Sequence, residues 1–325
     1  MQSIVKQNES KKNVKFKELL VEYKSLVGLL ALVLVVSILS PSFLTVNNIL
    51  NVLRQTSING VIAAGMTFVI LTGGIDLSVG SILGFSGAIA ASLIVSGQNM
   101  VVAVIAAIAV GGAVGFINGL AISKGKLQPF IATLASMTIL RGATLVFTDG
   151  KPITIGTGKV ALAFGKIGGG SILGIPTPAL MMILIFAACA HILNQTRIGR
   201  YTYALGGNEE ATKLSGLNTD KIKIFVYTMS GVLAAVAGVI ITSRLFSAQP
   251  TAGNGYELDA IAAVVLGGTS LSGGKGKITG TIIGALIIGI LSNALNLLDV
   301  SSYFQMIAKG IVILIAVLAD RKGAK

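Results

Sequence analysis

Charged side chains are scarce in this sequence, so the few beside or inside apolar runs are the first candidates for chemistry. Asp76, Glu257 and Asp259 stand at the ends of apolar runs, and Arg141 and Lys309 stand within them. A charge at the centre of a bilayer costs on the order of 2.5–3.5 kcal/mol on insertion scales, so such groups face protein or water. They mark a polar pathway or a latch between helices; the alternative is an interfacial anchor, which suits Lys309 better than Arg141. Asn59, Thr72, Asp76, Gln249, Asn254 and Asp259 are polar, lie near broken segments, and are the candidates to line such a pathway. Other chemistry has little footing. His191 is the sole histidine and Cys189 the sole cysteine. No disulfide, thiolate metal site or Ser-His-Asp arrangement follows from them, and no metal site is expected. His191 reads as an interfacial or packed residue. There is no G-x-x-x-x-G-K-[ST] loop, so the chain does not bind and split ATP by that route.

The most polar interruption is residues 196–223, TRIGRYTYALGGNEEATKLSGLNTDKIK. It carries five cations, Arg197, Arg200, Lys213, Lys221 and Lys223, against Glu209, Glu210 and Asp220. Asn208 suits an N-cap, and Glu209 and Glu210 put negative charge in the first turn, where the helix dipole favours it. Ala211 and Leu214 make a small apolar face, and Gly216 is a stop. A short amphipathic helix held in water either docks into a groove on a soluble partner or is a solvated connector.

The elements that must hold these residues are apolar. Of 325 residues, 53% are hydrophobic and 11% charged, against roughly 25% charged in soluble domains. Repeated runs of spanning length make this an all-α, polytopic integral membrane protein. About ten spans are expected, with eight to ten as the range, near 26–43, 51–72, 82–95, 100–122, 130–147, 178–193, 224–242, 258–267, 278–297 and 303–318. The 258–267 piece is too short for a full crossing, so it borrows flanking residues or is a half-helix. Residues 148–174 read as a polar, glycine-rich loop. Glycine is 41 of 325, which lets helices approach closely and break where a path is lined. The net charge of +13 is not a nucleic-acid signature, because the positives lie in short segments between spans. With ten crossings, 18 of the 25 Lys and Arg fall on one face, which places both termini and residues 196–223 in the cytoplasm. The domains expected are a tail at 1–24, one transmembrane unit at 25–319 and a tail at 320–325.

Two pieces resemble each other. Residues 73–80 (GGIDLSVG) and 267–274 (GGTSLSGG) match at five of eight positions, each after an apolar run, and both fall on the cytoplasmic face of this topology. Paired glycine-interrupted segments in two halves point to a transport pathway.

The stretches 40–57, 64–81, 196–218, 247–276 and 301–318 together resemble the permeases of bacterial ATP-binding-cassette (ABC) importers, in the branched-chain amino acid/ribose/galactoside permease family. Similarity runs from about Ser25 to Leu318. The resemblance implies a type II importer-like permease in the bacterial cytoplasmic membrane, working as a homodimer. It implies ribose, or a related monosaccharide, received from an extracytoplasmic binding protein. ATP-Mg would be bound by a separate ATPase subunit, none by the permease. On this resemblance Asn208–Gly216 is the coupling helix, flanked by Arg197 and Arg200. The alternatives are a permease for another sugar, such as galactose, xylose or autoinducer-2, or a self-sufficient secondary carrier; an intramembrane enzyme is disfavoured by the missing catalytic cluster.

Overall fold

The computed structural model of the protein describes residues 24–323. The tail expected at 1–24 lies outside the described residues apart from Lys24, and the tail at 320–325 does so beyond Gly323. The helices along the chain are α1 (Lys24–Leu39), α2 (Val46–Leu71), α3 (Val79–Val95), α4 (Met100–Ser123), α5 (Pro129–Thr148) and α6 (Lys159–Gly169). They continue with α7 (Thr177–Gln195), α8 (Arg197–Gly207), α9 (Glu209–Leu214), α10 (Thr219–Leu245), α11 (Tyr256–Leu266), α12 (Ile278–Leu297) and α13 (Ser302–Gly323). Each of the ten expected spans coincides with one of them. Among the described residues five helices, α4, α5, α7, α10 and α12, are long and apolar enough to cross a membrane by length and composition. The piece expected at 258–267 is α11, an 11-residue helix about 16 Å long, so it is a half-helix.

The core is built around α2. From Thr56 to Leu71 every residue but Asn59 is buried, on all sides of the helix. A helix apolar all round belongs at the centre of a bundle. Around it pack α10, α12, α11 and α7. The most extensive packing joins α4 to α10. Its cause is a stripe of glycines one turn apart, Gly111, Gly115 and Gly119. A side chain on Gly119 would sit 2.7 Å from the Ile224 Cα, and one on Gly115 would strike the Tyr227 carbonyl. Small residues at these positions bring two backbones together, as membrane helix packing favours.

Two expectations need correction. The seventh span begins at Thr219 rather than near 224, because the Asn218 side chain accepts from the Lys221 N–H at 3.0 Å and starts the helix earlier. Residues 148–174 are not a plain loop. They hold α6 and the short strands β1 (Ile153–Thr154) and β2 (Ser171–Ile172); β1 pairs antiparallel with β4 (Ser247–Ala248), and β2 with β3 (Ile175–Pro176), just past the segment. Ala161, Phe164, Gly165 and Gly168 form the buried face of α6, a 3.6-residue spacing that was present in the sequence.

Candidate functional site

The expected short helix exists as α9, six residues long. Asn208 is its N-cap, with Oδ1 accepting the Ala211 N–H at 2.9 Å. Gly216 adopts φ +81°, and the Gly216 and Leu217 N–H groups return to the Lys213 and Thr212 carbonyls, closing the helix end. The helix buries Thr212, not Ala211 or Leu214. Leu214 points away from the bundle and is 88% exposed. Glu209 is braced against α10 by a 2.6 Å ion pair with Lys223, and Asp220 faces Lys126 at 3.5 Å. Arg197 and Arg200 open α8, a separate helix whose N-cap, Thr196, accepts from the Gly199 N–H at 3.3 Å. Both arginines are exposed.

Behind α9, three glycine segments meet. The Gly274 N–H donates to the Leu71 carbonyl at 2.9 Å, joining the end of α2 to the loop before α12. A side chain on Gly206, near the end of α8, would collide with that same Leu71 carbonyl and lie 2.5 Å from the Gly274 nitrogen. The Tyr203 hydroxyl donates to the Gly276 carbonyl at 2.9 Å. Burial pushes the Tyr203 phenol above its ordinary pKa, so at neutral pH it remains a donor. The two pieces that resemble each other in sequence therefore lie side by side, both held by α8.

The six candidate path residues do not converge. Asp76 was expected at a span end; it is wholly buried in the break between α2 and α3. Its Oδ1 accepts the Ser78 N–H at 3.0 Å and the Ser78 hydroxyl at 2.5 Å, and its Oδ2 accepts the Ser230 hydroxyl at 2.8 Å. Asn118 donates to the Ser78 hydroxyl at 2.9 Å, so the break is stitched to both α4 and α10. Thr72 caps α2, its hydroxyl donating to the Val69 carbonyl at 2.7 Å. Gln249 and Asn254 are exposed on the loop between β4 and α11. Only Asn59 and Asp259 meet, at 3.3 Å.

Lys309 joins that pair. Its Nζ lies 2.8 Å from Asp259 Oδ2, which corrects the expectation of an interfacial anchor. An uncompensated carboxylate beside an apolar helix is expensive, and a cation one helix away offsets it. Arg141 also has a partner, donating to the Ala252 carbonyl at 2.8 Å. Gly253 and Gly80 touch backbone to backbone, so the loop before α11 packs against the start of α3. Sequence reasoning missed Ser78, Asn118 and Ser230 as partners of Asp76, and Tyr203 and Gly206 as parts of the joint. A hydroxyl or a glycine in an apolar run is too common to single out. Lys309 did carry a signal: a cation in mid-helix requires a carboxylate somewhere nearby.

A bundle whose polar groups lie in helix breaks, with a short capped helix projecting from one end, has the layout of a membrane permease. The chain belongs to the family described as branched-chain amino acid transport system / permease component, whose model matches residues 48–317. This is a family of transport permeases, not enzymes. The chain is 59% identical over 303 residues to the ribose import permease protein RbsC of Escherichia coli K12, covering 93% of this chain and 94% of that one. It is 58% identical to RbsC of Bacillus subtilis over 96% of both chains. The D-allose transport system permease protein AlsC of Escherichia coli K12 is 41% identical over 87% of this chain and 86% of its own. No solved structure matches the chain.

Proposed function

We propose that this chain is the membrane-spanning permease subunit of an ATP-driven importer for ribose, working with a separate ATPase subunit, an extracytoplasmic sugar-binding protein and a second copy of itself. The observation that carries the proposal is the near-full-length identity, 58–59%, to permeases that bear ribose in their names. D-allose, carried in the name of a 41% relative, ranks behind it. The chain supplies no nucleotide-binding loop of its own, so ATP-Mg is bound and hydrolysed in the partner.

On this proposal α9 is the coupling helix, and the end of the bundle that bears it is cytoplasmic. Leu214 is its contact with the ATPase, because an 88% exposed leucine on a capped, braced helix is positioned to fill a hollow on another protein. Closure of the ATPase displaces α9, and Asn208, which ends α8 and starts α9, passes the displacement on. The end of α8 carries it to the glycine joint, where the last turn of α2 and the loop before α12 move together. That rocks the two broken segments against the remaining helices. The sugar meets Asn59, Asp259 and their neighbours only in passing.

The test is reconstitution in liposomes with the ATPase and the binding protein. Ribose uptake should require all three proteins and ATP. Leu214→Asp should abolish ATPase association while the permease still inserts. Accumulation of ribose by the isolated chain under an ion gradient, or normal complex formation by Leu214→Asp, overturns the proposal.

A further inference from the structure

Two hollows border the start of α12, and one residue lines both. The first, about 560 Å³, is walled by Ser25 at the start of α1, by Tyr203, and by Lys275, Lys277, Thr279 and Ile283. The second, about 290 Å³, is an apolar groove between α7 and α12, walled by Met182, Phe186, Ala190 and Ile282 and again by Thr279.

The first hollow is built for negative charge. Lys275 and Lys277 are exposed, and no carboxylate pairs with either among the described residues. Lys277 stands at the N-cap of α12 without a side-chain cap bond, so the positive end of that helix opens here. The second hollow presents no charge at all, and its helices carry apolar side chains along their outer faces, Ile183 among them at 58% exposure. A neutral sugar has no use for two lysines, and an inorganic anion has no use for the groove. A molecule with a phosphate at one end and an alkyl chain at the other fits both.

We propose that the turn Lys275–Lys277 and the groove between α7 and α12 form one binding site for an anionic phospholipid, headgroup on the lysines and one acyl chain along Phe186 and Ile282. The lipid bridges α7 to the loop that touches Leu71 and Gly206, so its occupancy stiffens the glycine joint. This site does not depend on which sugar is carried.

The permease in detergent is titrated with phosphatidylglycerol, phosphatidylcholine or inorganic phosphate, and retained ligand is read by native mass spectrometry. One phosphatidylglycerol per chain should be retained in preference to phosphatidylcholine, with inorganic phosphate a poor competitor. Two lysines at an anionic surface are worth about thirtyfold in affinity, which Lys275→Gln/Lys277→Gln should lose. Ala187→Phe fills the groove from an exposed position and should weaken retention with both lysines intact. Lys124→Gln/Lys126→Gln, in another basic turn, should leave it unchanged. Equal retention of phosphatidylcholine, full displacement by inorganic phosphate, or undiminished binding by either the 275/277 or the 187 variant overturns the proposal.

Discussion

The two glycine breaks, 73–80 and 267–274, begin alike and end differently. Both open with the same helix stop. At the end of α2, the Gly73 and Gly74 N–H groups return to the Ile70 and Val69 carbonyls, with Gly73 at φ +76°. At the end of α11, the Gly268 and Thr269 N–H groups return to the Val265 and Val264 carbonyls, with Gly268 at φ +88°. The helix stops are therefore offset by one residue from the sequence alignment, which pairs Gly73 with Gly267. The alignment recovers its register at the next turn: Asp76 accepts the Ser78 N–H at 3.0 Å, and Ser270 accepts the Ser272 N–H at 3.4 Å. Beyond that turn the two part. The first break has a carboxylate that is wholly buried and stitched to two other helices. The second has a hydroxyl in that place and opens through Lys275 and Lys277 onto a hollow. One break centres on a carboxylate enclosed in the bundle and the other borders a hollow. Similar sequence here repeats a way of ending a helix, not a site.

The severest way to break this comparison is at the point both breaks share. Gly206→Val pushes a branched side chain into the Leu71 carbonyl and the Gly274 nitrogen, and should destabilise the permease by more than about 3 kcal/mol and abolish ATP-driven uptake. The neighbouring Gly207 has open space where a side chain would go, so Gly207→Val should remain near wild type in the same thermal-unfolding and uptake measurements. Equal damage from both substitutions would detach the breaks from a common anchor.

Next in size is the carboxylate that distinguishes the breaks. Asp76→Ala strands the Ser78 N–H and two hydroxyls in a dry interior and should cost about 2–4 kcal/mol in detergent unfolding. Asp76→Asn keeps an acceptor and should cost less. Ser270→Ala, the aligned change in the second break, should cost under about 1 kcal/mol. A loss smaller than that of Asp76→Ala is expected where the second break is tied down through its half-helix instead. Lys309→Met leaves Asp259 with only Asn59 and should cost about 2 kcal/mol, partly recovered by Lys309→Met/Asp259→Leu, since replacing both charges removes the stranded one.

How much of this was legible beforehand varies with the range of the interaction. The short helix after Asn208 was readable because its cap, its acidic first turn and its glycine stop are neighbours along the chain. The half-helix at 256–266 was readable as too short a run between two loops. The α6 helix was missed although its apolar spacing was present, because glycines at both ends made the segment resemble a loop. The six candidate path residues were not brought together as a group. Asn59 and Asp259 meet only because α11 turns back against α2, and no local pattern states which polar residues will face each other across 200 positions. Lys309 was misjudged for the same reason, since its carboxylate lies 50 residues away on another helix.

From its residues alone, this protein was bound to be a glycine-rich bundle of membrane helices with one capped helix left outside the apolar phase. Hydropathy and capping act over a few turns, and a few turns are what a sequence displays. Tertiary structure alone decided that Asp76 is enclosed, that Lys309 belongs to Asp259, and that Leu71, Gly206 and Gly274 share one point. Those outcomes depend on which helix faces open toward each other, and close packing of distant segments, not local preference, chooses them.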